Sequence, residues 1–170
     1  MDSATAKPRL KEIIDTLPQT GTLEWIGLRP KKRATMESVD QATVSLESGL
    51  EGDHYQGRSK NRQLTLIQKE HLQTVAQLLG IEEAEAALAR RNLVVSGINL
   101  LAFKDRQFRI GEVILEMTGY CYPCTRMEEN FGPGGYNAMR GHGGITAKVV
   151  RAGTIAIDDE VVALDGFVKA

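Results

Sequence analysis

The chain has 170 residues, of which 17 are glycine, a share above the average of about 7 %; the glycines follow no three-residue period, which excludes collagen. Hydrophobic residues make up 42 % and aromatics 5 %, enough for one domain of this length to hold a core without staples. Its 21 basic and 22 acidic side chains leave a net charge of −1, which argues against a nucleic-acid partner.

In chain order, residues 3 to 16 read as a short helix, capped at Ser3 or Thr5, with Leu10, Ile13, Ile14 and Leu17 on one face and Pro18 as its end. From Leu23, LEWIGLR alternates loosely, and VDQATVSLE carries Val39, Val44 and Leu46 in a strand-like pattern. Between these two strands lies the densest basic run, Arg29, Lys31, Lys32 and Arg33 around Pro30, which reads as a solvated loop. A turn-rich stretch leads to LTLI, a strand, and then to a helix over about Gln68 to Leu79, stopped by Gly80. His71 lies inside that helix and reads as a surface residue. A second helix, Glu82 to Ala89, ends at Arg90 and Arg91, and NLVVSGINL follows as a buried strand.

After Phe103, QFRIGEVILEM alternates with a turn or bulge at Gly111. GYCYPCTRMEENFGPGGYNAMRGHGG is turn-rich, with at most one short helix, and AKVVRAGTIAIDDEVVAL supplies closing strands that turn at Ala152–Gly153 and Asp158–Asp159. The expected architecture is mostly β with minor α, a closed or nearly closed barrel with two or three peripheral helices. A helical arm over residues 1–20 precedes a barrel domain over 21–170. No apolar run reaches the roughly 18 residues that span a bilayer, so no membrane partner is expected and the cytoplasm is the expected compartment.

In a reducing compartment two cysteines point to chemistry rather than a structural disulfide. Cys121-Tyr122-Pro123-Cys124 is followed by Thr125 and Glu128 at capping-box spacing. A helix starting there puts Cys124 beside free amides, with Arg126 nearby, and makes its thiol acidic and reactive. Cys121 reads equally well as an inert buried residue. A zinc site is not expected: only His54, His71 and His142 remain as partners, without a second cysteine pair. Gly141-His142-Gly143-Gly144 offers a backbone nest for an anion, with His142 donating to a phosphate or pterin-like group. Arg90, Arg91 and Asn92 stand at a helix-to-strand junction suited to phosphate. In Gly52-Asp53-His54-Tyr55 the carboxylate either orients the imidazole or caps a turn.

These segments in this order (GLEGDHY, QLTLI, RRNLVVSGINL, FRIGEVILEMTGYCYPC and GHGGITAKVVRAG) resemble the MOSC domain, found also at the C-terminus of molybdenum cofactor sulfurases, over roughly Thr22 to Leu164. The resemblance implies a β-barrel and places the signature cysteine at Cys124, as persulfide carrier or molybdenum ligand. It implies that Arg90 or Arg91 with Asn92 lie near a cofactor phosphate, and that Asp53, His54, His142, Gly143 and Gly144 belong to the same site. The implied partners are the molybdenum cofactor (molybdopterin) or a sulfur donor such as a cysteine desulfurase. Neither the pyridoxal phosphate-associated, aminotransferase-like domain of the sulfurases nor the extra N-terminal β domain of cofactor-binding reductases is recognisable, so the chain reads as a stand-alone member. Where the family has Gly-Asp near its C-terminus, this chain has Asp158-Asp159. Two alternatives stay open: a non-catalytic module for a phosphate-bearing pterin-like molecule, and a molybdenum-dependent reductase of N-hydroxylated compounds.

Overall fold

The computed structural model describes residues 9–55 and 59–167. Seven strands close a barrel: β1 (Gly21–Leu28), β5 (Leu64–Gln68), β6 (Leu93–Ser96), β7 (Arg106–Ile110), β8 (Val113–Tyr120), β9 (Ile145–Arg151) and β11 (Glu160–Phe167). Their order is β11-β7-β8-β9-β5-β6-β1, and β1 returns to β11 through Gly21 opposite Val161 and Thr22 opposite Glu160. Outside the ring, β2 (Glu37–Val39) extends β1, while β3 (Gln41–Ser45), β4 (Gly49–Leu50) and β10 (Gly153–Ala156) form a small sheet of their own. Every ring pairing is antiparallel except β5 with β6. That parallel pair needs a crossover, made by α2 (Lys69–Leu79) and the single-turn α3 (Ala86–Ala89).

The loose alternation of β1 has a cause. Its pairing to β6 slips between Leu23 and Trp25, a bulge that lets both Leu23 and Ile26 reach the interior. Regular alternation in β7 sends Phe108 and Ile110 inward, and Phe108 stacks on Phe103 with ring centroids 4.3 Å apart. All five residues of β5 are buried, because Leu64 and Leu66 face the barrel while Ile67 lies under helices. That second layer joins Leu72, Val75 and Ala76 of α2 to Met127 of α4 (Thr125–Phe131) and to Ala138 and Met139 of α5 (Gly135–Met139). Burying each such large aliphatic side chain contributes about 1.5–3 kcal/mol.

Several sequence expectations change. The first helix, α1, covers only Leu10–Ile14; Leu10, Ile13 and Ile14 are exposed, while Leu17 packs on the core and Asp15 bonds Arg106 at 2.8 Å. The caps expected at Ser3 or Thr5 lie outside the described residues. The expected Glu82–Ala89 helix shrinks to α3, and Leu46, expected in a strand, is exposed just beyond β3. The cysteine region holds two helices, not one, so the helices number five among the described residues rather than two or three. Gly80 ends α2 as expected, left-handed at φ 65°. No helix among the described residues is long and apolar enough to cross a membrane.

Candidate functional site

The site forms where β1 and β8 end and β6 and β9 begin. Four loops meet there: Arg29–Ala34 after β1, Asp53–Tyr55 after β4, Cys121–Cys124 after β8, and Gly141–Gly144 before β9. A cleft of about 350 Å³ opens among them. His54, Cys121, Tyr122 and Cys124 line it, together with seven cationic residues: Arg29, Lys32, Arg33, Arg62, Arg90, Arg91 and Arg126. No Asp or Glu lies on its wall. A larger hollow of about 830 Å³ runs beside α2 over Trp25, but it has no cysteine, histidine or arginine, so size does not mark the chemistry here.

Beneath the cleft lies a polar scaffold. Asn92, 1 % exposed, accepts from the backbone N–H and hydroxyl of Thr65 at 3.2 and 3.1 Å. Its amide nitrogen donates to the Gly27 carbonyl and to the Asp53 carboxylate, each at 3.3 Å. Two donors and two lone pairs exhaust the carboxamide. Asp53 in turn accepts from the backbone N–H of Arg29 (2.7 Å) and of Tyr55 (3.1 Å), and pairs with the Arg29 guanidinium at 3.3 Å. It therefore orients Arg29 rather than His54.

Arg91 joins the loops. Its Nε donates to the Gly143 carbonyl at 2.8 Å, Nη1 to Ala89 at 2.9 Å, and Nη2 reaches the carbonyls of Cys121 and Tyr122 at 3.4 and 3.5 Å. Cys121 also donates its backbone N–H to the Gly144 carbonyl at 2.8 Å. The glycines here serve close approach: a Cβ at Gly143 would collide with the Cys121 carbonyl, and one at Gly144 with the Leu66 carbonyl. His142 does not line the cleft. Its Nδ1 lies 3.0 Å from the Ala138 carbonyl, and its ring packs edge-on against His71 at 5.4 Å. His71 is thus half-buried instead of a surface residue, and burial first, His142 second, push its pKa down.

Cys124 is exposed and caps α4, whereas Cys121 is buried. Residues 121–124 form no helix, strand or turn, and both thiols are free. Because Cys124 is itself the cap, the expected Thr125–Glu128 capping box does not form. The Glu128 carboxylate instead accepts from the backbone N–H of Gly134 (2.7 Å) and Tyr136 (2.9 Å), stitching α5 to α4. Those bonds hold Glu128 below the ordinary carboxylate value of 4.5. A depressed folded-state pKa contributes stability above the unfolded value and loses it as pH falls through the folded one. Acidification below about 4.5 is therefore expected to lower hydrogen-exchange protection at Gly134 and Tyr136, taken relative to the intrinsic rate at each pH, before that of the barrel strands.

The sequence reading placed Arg126 beside Cys124 but passed over four cleft residues as site residues: Arg29, Lys32, Arg33 and Arg62. Three belong to the basic run read as a solvated loop; Lys32 and Arg33 are indeed exposed, yet they form one rim of the cleft. The signal lay in pairing, since Arg29 binds the aspartate of the GDHY segment. Arg90 is half-buried, and its guanidinium is lowered from its ordinary value by that burial and then by Arg29 and Arg126, with Cys124 opposing. These groups share one electrostatic neighbourhood.

The family model of the MOSC domain matches residues 51–162. The chain belongs to the MOSC domain family. Solved structures agree on the fold. The YuaD protein from Bacillus subtilis is 18 % identical with a TM-score of 0.77, over 89 % of this chain and 100 % of that one. YiiM from Escherichia coli is 23 % identical with a TM-score of 0.62, covering 86 % and 73 %. YiiM from Geobacillus stearothermophilus is 15 % identical with a TM-score of 0.68, covering 85 % and 75 %. No curated protein matches the sequence. In this MOSC domain, Cys121, Cys124, His54, Arg90 and Arg91 share a cleft, Asp53 and Asn92 lie in the scaffold beneath it, Gly143 and Gly144 pack behind the cysteine loop, and His142 sits on His71.

Proposed function

We propose that this MOSC domain holds a phosphate-bearing molybdopterin-type ligand, with Cys124 as its sulfur ligand. One observation carries the reading. The exposed thiol of Cys124 shares its cleft with Lys32, Arg33, Arg62 and Arg126, four cationic side chains that have no hydrogen-bonded or ionic partner among the described residues. A soft thiolate suits molybdenum, and guanidinium forks suit phosphate; the side chains present fit such a group. When bound, it supplies two-electron redox chemistry. The protein's part is to hold phosphate with Arg62 and Arg126, to present Cys124, and to fix the loops through Arg91 and Asn92. Arg91 and Asn92 serve this reading as positioning residues, because their polar atoms are already engaged.

The exposure of Cys124 also favours a second reading, sulfur carriage. Its thiolate would attack the terminal sulfur of a donor persulfide, form a Cys124 persulfide and release the donor as a thiolate, so atoms and charge balance. A cysteine desulfurase is the donor class this reading expects, and the cytoplasm the compartment.

Intact mass after incubation with a persulfide donor, alongside molybdenum analysis of protein from a molybdenum-replete host, tests both. The native chain is expected to gain sulfur or metal, and Cys124→Ala to lose at least 90 % of it with folding intact. Equal loading of the native chain and Cys124→Ala would end the proposal.

A further inference from the structure

The reading above asks for one phosphate, and the cleft carries more charge than one phosphate answers. Asp53 pairs with Arg29 and also lies near Arg90, but Lys32, Arg33, Arg62 and Arg126 line the cleft without an acidic partner among the described residues. A phosphate monoester brings a charge of only about −1.5 to −2. Like charges gathered around one cleft repel one another, so such a cluster persists best with a larger anion to offset it.

The backbone gives an independent sign. Four non-glycine residues among those described hold a left-handed φ, and two of them, Arg33 at 64° and Arg90 at 57°, line this cleft. Each such conformation costs on the order of 1–3 kcal/mol and gathers at ligand clamps. Arg90 Nη1 also donates to the Ala34 carbonyl at 3.1 Å, which ties down the loop carrying Lys32 and Arg33. The cationic rim is built rather than draped. Beyond His54, which lines both, lies a second hollow of about 560 Å³ walled by Glu47, Ser48 and Glu51. Those carboxylates repel phosphate and accept from hydroxyls and amines.

We propose that the cleft takes a diphosphate ester of the nucleoside diphosphate type, its phosphates between Arg33, Arg90 and Arg126 and its organic group past His54 against Glu51. This rests on the phosphate-site reading above and not on the chemistry of Cys124. The same chemistry can arrive as a free nucleoside diphosphate or as a pterin extended by a nucleotide.

Titration calorimetry of the full chain at constant ionic strength with orthophosphate, pyrophosphate and ADP tests it. Pyrophosphate is expected to bind at least tenfold tighter than orthophosphate. Arg33→Gln and Arg126→Gln should each remove most of that gain, and Arg126→Gln should weaken orthophosphate as well. Glu51→Ala should weaken ADP several-fold without weakening pyrophosphate. Equal affinities for the two inorganic ions, or a gain that survives both arginine variants, overturns the proposal. The mass of a small molecule released from protein made in molybdenum-replete cells separates the two sources, and a monophosphate alone overturns both. Pyrophosphate preference without sulfur or metal on Cys124 keeps this inference and ends the earlier reading; loading without the preference does the reverse.

Discussion

Asn92→Asp should cost the protein about 3–5 kcal/mol, the range for breaking a buried hydrogen-bonded charge network. The native carboxamide fills every hydrogen-bond position it has, and its nitrogen lies 3.3 Å from the Asp53 carboxylate. Aspartate there would set two buried carboxylates face to face and leave the Gly27 carbonyl without its side-chain donor. Since Asp53 orients Arg29, the cleft should lose its shape together with its stability. Denaturant unfolding near neutral pH measures the loss. Arg126→Ala, on the half-buried cleft wall with no side-chain hydrogen bond or ion pair among the described residues, is the control and should stay within about 0.5 kcal/mol of the native chain. A small effect of Asn92→Asp on stability would mean that this side chain is not the scaffold hub described above.

Gly144→Ala is the second large effect. Gly144 holds φ at 85°, a region that costs an L side chain roughly 1–2 kcal/mol. The added methyl would also collide with the backbone carbonyl of Leu66 in β5, and backbone cannot move aside as a flexible side chain does. The sum is a loss of at least about 3 kcal/mol, or on the order of 10 °C in Tm for a domain of this size. The damage should reach the cysteine, because the Gly144 carbonyl accepts the Cys121 N–H. Thermal unfolding checks the stability, and Cys124 alkylation kinetics the loop. A native-like Tm would show that β5 and the glycine loop can separate freely.

Much of the fold was legible because strand pattern and turn chemistry act locally. LTLI read as a strand since its residues are buried on both faces, and Gly80 stopped a helix because only its left-handed φ was needed. Asp158 shows the limit: it stands where the family has glycine and does adopt φ 74°, a geometry its short polar side chain tolerates. The site was legible at Cys124, whose neighbours in sequence set its exposure. The roles of Asn92, Arg91 and the glycine loop were not, since each depends on atoms brought from 27 to 65 positions away. Arg62 carries no sequence context that distinguishes it from a solvated charge; only the fold brings it to the same cleft as Cys124.

That closure also dictates when the protein can acquire its shape. The ring is sealed by residues 21 and 22 pairing with 160 and 161, so the first stave waits for the last. Such non-local pairing is slow to form and leaves strand edges bare meanwhile. On the ribosome, the crossover helices and the β7–β8 hairpin are free to form as they emerge, but no sealed barrel, and hence no complete cleft, exists until residues 160 and 161 have emerged. A nascent chain truncated before residue 160 should therefore be a client for chaperones.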